Sequence, residues 1–260
     1  MSRAAWTSVY ALWWREIIRF VRQRSRLVGA FAQPLLFWLL LGGGFSASFR
    51  PPGTPADVGA LQYFYPGIIG LVLLFTAIFA TIAVVEDRKS GFLQSVLVAP
   101  VPRGSIVLGQ ALGGTTLAVV QGVLFLALAP LAGIPLSLTA VLEATLVLIG
   151  VAFALTSLGL LIAWRMESTQ GFHAIMNLIL MPIWILSGAF FPAAGAPRWL
   201  GWIMRLNPLT YGMAALRRPL YVAAPANIGN VPALPISVLV TLLFCGVTFA
   251  GATAIARRSA

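Results

Sequence analysis

The sequence predicts an all-α integral membrane protein: six transmembrane helices, an amphipathic N-terminal helix lying in the interface, and short external re-entrant helices before the last span. Three observations carry that prediction. Six apolar runs, residues 27–45, 64–85, 106–131, 138–164, 172–191 and 234–256, each reach the roughly 20 residues that cross about 30 Å of hydrocarbon as a helix. Hydrophobic residues make up 60% of the chain and charged residues 9%, against about 25% charged in soluble domains. The few charges collect at the ends of the runs. Helices satisfy their own backbone hydrogen bonds and so can stand in lipid. A single transmembrane domain over residues 1–260 follows, with no sizeable water-soluble part.

The first element is an amphipathic stretch over residues 6–26. Val9, Trp13, Ile17 and Phe20 recur at helical spacing, and Arg15, Arg19, Arg22 and Arg26 form a basic stripe on another side. Such a helix is expected in the plane of the cytoplasmic interface, its rings in the acyl boundary and its arginines near lipid phosphates. The first span starts only after about 26 residues and is long enough to cross, so it reads as a retained helix rather than a signal peptide. It carries Gln33, a kinking Pro34, the deep Trp38 and the glycine run Gly42 to Gly44. The fifth span carries a kinking Pro182 and the equally deep Trp184. Packing is the favoured role for both tryptophans.

Basic residues set the orientation. Arg3, Arg15, Arg19, Arg22, Arg24, Arg26, Arg88, Lys89, Arg103, Arg165, Arg257 and Arg258 fall on one side; Arg50, Arg198, Arg205, Arg217 and Arg218 fall on the other. The first set belongs in the cytoplasm, which puts both termini there. The net charge of +11 is read as attraction to anionic membrane lipid, because the basic residues flank apolar runs and form no nucleic-acid-reading module. Residues 192–233 form a long external loop. Trp199 to Leu216 is apolar enough to suggest a seventh span, but Arg205 and the Asn207–Pro208 break argue against it. Short helices dipping into the outer interface are expected instead, with Trp199, Trp202 and Tyr211 at headgroup depth. Cys245 is the only cysteine, so no intrachain disulfide forms.

Residues 86–105 form the first cytoplasmic loop. Phe92, Leu93, Val96 and Leu97 would give a short helix one apolar face, and Pro100 and Pro102 stop it. A compact apolar helix there could plug a partner's groove or float in the interface. The only lysine, Lys89, follows Arg88; a phosphate-cradling loop needs its lysine after glycine. Any ATP must therefore be bound by another chain.

The pattern Glu86, Gly91, Phe92, Leu93, Leu97, Pro100 and Pro102, followed by Gly109 and Gln110, resembles the cytoplasmic coupling segment of type-2 ABC exporter permeases. Gln33–Pro34 after a basic helix, the stretch from Leu186 to Pro192 ending the fifth span, and Asn207, Pro208 and Tyr211 followed by Arg217 fit the same family. The resemblance implies a permease subunit of an exporter in the bacterial plasma (inner) membrane. It would work as a dimer, a homodimer by expectation, on a separate cytoplasmic ABC ATPase. ATP and Mg would sit in that partner, with no cofactor in this chain. The coupling residues implied are Glu86, Asp87, Arg88, Gly91, Phe92, Leu93, Val96, Leu97 and Pro100, with Arg15 and Arg19 of the N-terminal helix. Phe92, Leu93, Val96 and Leu97 would pack into the ATPase groove, and Glu86, Asp87 and Arg88 would supply ion pairs at its rim. The substrate class implied spans drugs, lipids and glycans.

Polar groups facing lipid are costly, so Gln33, Gln121, Glu143 and Asn177 are expected to face protein or a path for substrate. Glu143 sits near the external side, where a rim carboxylate is the plainer role. His173 reads as a polar boundary residue. Two alternatives remain at this point. A channel or secondary transporter would need no ATPase, though such proteins often carry mid-span charges, and none is seen here. A membrane-embedded enzyme would draw on Glu86, Asp87, Glu167 and His173, but no ligand or catalytic spacing supports it.

Overall fold

The computed structural model describes residues 3–45, 58–190, 196–229 and 231–258. Among them the chain is helical, with no strand: α1 (Arg3–Arg22), α2 (Arg24–Gly44), α3 (Ala60–Lys89), α4 (Phe92–Val98), α5 (Arg103–Leu126), α6 (Leu138–Ala163), α7 (Thr169–Trp184), α8 (Arg198–Leu206), α9 (Pro208–Leu220) and α10 (Leu234–Arg258). A π turn, Ile185–Ala189, continues α7. Short 3-10 turns at Ala129–Ala132 and Pro225–Ile228 sit between longer elements.

Five helices are long and apolar enough to cross a membrane: α3, α5, α6, α7 with its π turn, and α10. The sixth expected span, in α2, has a shorter apolar stretch, Val28–Gly44. α2 nevertheless runs along α3 from Gly29 against Phe79 to Gly42 against Leu61. That length of α3 is about 27 Å at 1.5 Å per residue.

α3 is the centre of the bundle, buried along most of its length, and packs on α2, α5, α6, α7 and α9. Bare glycines let neighbours close in on it. Gly67 lies against the Ala189 backbone and Gly70 against Met213. Trp38, Tyr65 and Phe125 form a ring cluster, with centroids 5.2 to 5.8 Å apart. Tyr65 Oη donates to the Phe125 carbonyl, which also accepts from Leu128 N at 2.9 Å in the turn after α5. Both deep tryptophans are packed. Trp38 Nε1 donates to Leu61 O at 3.0 Å and Trp184 Nε1 to Gly67 O at 2.7 Å.

Three boundaries differ from expectation. α3 runs on through Glu86, Asp87, Arg88 and Lys89, which the sequence had placed in the loop over 86–105. Asp87 is paired inside the chain, and Arg88 and Lys89 suit the negative end of the helix dipole. α5 stops at Leu126 rather than 131, giving way to a turn around Pro130. The third difference concerns α1. Its apolar stripe packs lengthwise on α5, in parallel. Ser8 Oγ donates to Ser105 Oγ at 3.0 Å. Leu12 and Val9 meet Gly109, Glu16 meets Gly113, and Phe20 clusters with Leu117. Two glycines four residues apart open a groove that admits a second backbone. So α1 stands beside the first half of α5 instead of lying on lipid with Val9, Trp13, Ile17 and Phe20. Trp13 Nε1 donates to Thr116 Oγ1 at 3.0 Å, while Trp6, Tyr10 and Trp14 face outward.

Candidate functional site

The site grows from the end of α3. Ser90 closes that helix, and Gly91 turns the chain with φ of 76°, a left-handed conformation that side chains resist. α4 follows at once. Ala99 and Pro102 are extended, Pro100 is exposed, and Arg103 donates to Leu97 O at 2.7 Å. α4 is thereby held as a short arm between α3 and α5.

α1 is bolted to the same corner by charge. Arg15 grips Asp87 with two hydrogen bonds, Nη1 to Oδ2 at 2.8 Å and Nη2 to Oδ1 at 2.6 Å. Arg19 bridges Asp87 Oδ1 at 2.7 Å and Glu86 Oε2 at 2.6 Å. Arg15 also reaches Glu16 at 2.9 Å and lies over the Phe92 ring, 3.9 Å from its centroid. Burial pulls the Arg15 pKa down, but Asp87 and Glu16 more than offset that and hold it above the ordinary arginine value. Asp87 is 3% exposed, and these guanidinium groups take the place of the water that burial removes from it. Arg88 caps α6 instead, donating to Trp164 O at 2.6 Å and Met166 O at 3.1 Å. One corner thus ties α1, α3, α4 and α6 together.

This changes the roles expected of the coupling residues. Leu93, expected in a partner's groove, is 3% exposed and belongs to this chain's own core. Val96 and Leu97 are half-buried against it. A seven-residue helix needs an apolar anchor on its own bundle, and Leu93 supplies it. Glu86, Asp87, Arg15 and Arg19 are engaged with one another, and Arg88 with α6. The outward face of α4 is left to Gln94, Ser95, Val98 and the edge of Phe92; Val98 is 86% exposed.

The four polar residues expected along a path occupy different environments. Gln121 is buried and accepts from Thr76 Oγ1 at 2.5 Å, tying α5 to α3. Gln33 is half-buried on α2, Glu143 is exposed near the start of α6, and Asn177 is exposed halfway along α7. His173 lies near Phe79 and Phe172, with ring centroids 6.2 and 6.1 Å away.

At the other end of the bundle, Asn207 caps α9, accepting from Leu209 N at 3.0 Å, and its amide donates to Ile183 O at 2.6 Å. Pro208 opens α9, where its missing donor costs nothing. Thr210 Oγ1 donates to Met204 O at 2.7 Å, with Leu186 O further off at 3.4 Å, and Tyr211 Oη donates to Arg205 O at 2.9 Å. Arg217, 6% exposed, donates to Gly188 O at 2.8 Å and lies 5.1 Å from the Tyr63 ring centroid. Gly188 has φ of 80°. Pro192 lies outside the described residues. Asn207→Ala is expected to lower stability by about 1–2 kcal/mol, since it removes a cap and strips the Ile183 carbonyl of its donor. Asn207→Asp, which keeps only the cap, should fall between in a detergent melting series.

Sequence reasoning missed Glu16, Thr76 and the receiving groove of α5. The spacing of Gly109 and Gly113 was the available signal for the last.

Over residues 7–221 the chain matches the family described as ABC-2 type transporter. It is 29% identical over 206 residues to the "Putative transport permease ycf38" of Cyanophora paradoxa, covering 78% of this chain and 70% of that protein. It is 25% identical over 222 residues to the "Inner membrane transport permease YadH" of Escherichia coli (strain K12), covering 84% of each. It is 27% identical over 226 residues to "Nodulation protein J" of Rhizobium leguminosarum bv. trifolii, covering 85% of this chain and 81% of that protein.

Proposed function

The chain belongs to the ABC-2 type transporter family, and from that premise we propose that it is the permease half of an ATP-driven exporter. Two copies line the path, and a separate cytoplasmic ATPase, which binds ATP and Mg, drives them from beneath. The setting is a bacterial inner membrane with both termini cytoplasmic. α2 is the sixth span; its contacts with α3 over about 27 Å support that count. α8 and α9 form the re-entrant hairpin. In support, Asn207 reaches Ile183, Met213 meets Gly70 and Arg217 lies beside Tyr63. The exposed amide of Asn177 on α7 favours that face for the path or the second copy, because an amide facing lipid is costly. The cargo class is amphipathic: a drug, lipid or glycan-bearing molecule.

One observation carries the reading. The corner formed by Arg15, Arg19, Glu86, Asp87 and Phe92 joins the exposed arm α4 to α1 and to the central helix α3. A push on α4 therefore moves the bundle's central helix directly. The ATPase-facing surface is the outward side of α4, around Val98. Val98→Asp should leave the fold intact, because the side chain is already exposed, and should weaken ATPase binding about 30-fold, as loss of an interface anchor worth about 2 kcal/mol does. Wild-type affinity of the purified Val98→Asp permease for its ATPase would overturn the assignment.

A further inference from the structure

We propose that a notch on α8 holds the phosphate of one anionic glycerophospholipid of the outer leaflet. The inference rests on the orientation given above, which puts the C-terminal end of α7 at the outer face.

α8 is pinned in place. Asn207, which ends it, donates to Ile183 O at 2.6 Å in the last turn of α7. Tyr211 Oη of α9 donates to Arg205 O at 2.9 Å, and Met204 is buried beneath. The remaining side chains of the helix divide by spacing. Trp199, Ile203 and Leu206 fall on one flank and are 65%, 42% and 80% exposed. Arg198 and Arg205, about two turns apart, fall on the next flank with Gly201 between them. An apolar flank beside a basic one is the pattern of a helix lying in a membrane interface. The apolar flank then meets acyl chains, and the basic flank meets headgroups.

The basic flank is notched. An open cavity of about 270 Å³ is lined by Ala196, Arg198, Gly201, Trp202 and Arg205. A Cβ at Gly201 would meet nothing within 4 Å, so the missing side chain leaves the gap between the two arginines open. Both arginines are exposed, and no carboxylate among the described residues lies within ion-pair distance of either. Arg205 lies over the Trp202 ring, 5.6 Å from its centroid, which restrains its guanidinium. Arg217 and Arg218 of α9, by contrast, are engaged with the carbonyls of Gly188 and Pro232. Outward-facing arginines run against the usual distribution of basic residues, and two without a counter-ion on one short helix leave positive charge for an anion to meet. Guanidinium groups suit phosphate oxygens by shape and charge.

Size and flank select the source of that phosphate. The cavity falls below the roughly 300 Å³ at which sites for drug-sized ligands begin, so it takes a headgroup and not a whole amphiphile. The acyl chains then run along Trp199, Ile203 and Leu206. Two guanidinium groups without a counter-ion repel a headgroup that carries its own cation. Phosphatidylglycerol is therefore preferred to phosphatidylcholine.

The test is native mass spectrometry of the purified permease released from bilayers of equal phosphatidylglycerol and phosphatidylcholine. The wild type should retain phosphatidylglycerol in preference to phosphatidylcholine. A basic residue near a surface favours anionic lipid about fivefold, so Arg198→Ala with Arg205→Ala should lower that preference by about tenfold or more and release one phosphatidylglycerol per chain. Gly201→Leu, which fills the notch and keeps both charges, should release the same lipid. All three positions border open space, so both variants should melt as the wild type does. Equal retention of the two lipids by the wild type overturns the proposal, as does an unchanged count in the double variant. Full retention by Gly201→Leu would show that the notch holds nothing. In detergent, glycerol phosphate bound as tightly as the lipid would make the ligand a soluble anion and sink the membrane source. The ATPase and the cargo take no part in these readouts, so failure of the exporter reading leaves them standing. Arg198→Cys in a Cys245→Ala background should react with an impermeant maleimide added outside; protection there, with labelling from the cytoplasmic side, would rule out the outer leaflet.

Discussion

Asp87→Ala is expected to destabilise the protein by about 3 kcal/mol and to disconnect ATP hydrolysis from transport. The carboxylate takes three short hydrogen bonds from two arginines and is almost wholly enclosed, with a side-chain exposure of 4%. Removing one member of a buried ionic set costs about 3–5 kcal/mol, mostly because the remaining charges stay desolvated. Arg15 and Arg19 keep side-chain exposures of 29% and 20%, which places the cost at the lower end. Glu86 still holds Arg19, so α1 loosens without leaving. A double-mutant cycle with Arg15→Ala should return a coupling energy of about 1.5–3 kcal/mol, read from unfolding in mixed detergent. In proteoliposomes holding permease and ATPase, hydrolysis should continue while cargo movement falls several-fold, because Arg15 no longer clamps α1 and the Phe92 ring of α4 to α3. Wild-type melting of Asp87→Asn would refute the structural claim; full transport by Asp87→Ala would refute the mechanical one.

Gly67→Val is the second large effect. A Cβ at Gly67 would lie 2.5 Å from the carbonyl oxygen of Ala189 and 3.0 Å from its carbonyl carbon. Those are backbone atoms, so no side-chain rotation relieves the clash. Overpacking of this kind costs about 1–3 kcal/mol, and here the upper end applies, since Trp184 Nε1 also bonds the Gly67 carbonyl. Valine should push the C-terminal end of α7, at Ala189, off α3. Gly43→Val is the matched control, because a Cβ there meets open space. The pair separates a general intolerance of β-branching from the specific closeness of α3 and α7. Melting temperatures of both variants in one detergent decide it.

Much of the architecture was legible in the sequence, because length and apolarity are what a bilayer demands. Pro100 and Pro102 marked the end of α4, and Asn207–Pro208 marked the start of α9. What the pattern could not disclose was which apolar face meets protein and which meets lipid, since both are equally apolar. The stripe of Val9, Trp13, Ile17 and Phe20 reads the same whether it lies on acyl chains or on the groove at Gly109 and Gly113. Leu93 suffered the same ambiguity: an apolar residue on a short arm reads equally well as a plug for a partner or as an anchor to its own bundle. Charge misled differently. Glu86, Asp87, Arg15 and Arg19 looked like groups awaiting a partner because residues 72 apart in sequence give no local sign that they meet. α10 buries Ser237, Thr248, Ala252 and Ala256, a stripe of small residues at helical spacing that its sequence did show.

The break at the C-terminal end of α7 carries a consequence for how that helix can move. The carbonyls of Ile183 and Gly188 are held by Asn207 and Arg217 of α9 and its cap. If α7 swung away alone, two acceptors would lose their side-chain donors, each at a cost of about 1–3 kcal/mol if left unpaired. α7 and the hairpin therefore travel together or stay put. Shapes in which α7 has parted from α9 are therefore the costly ones.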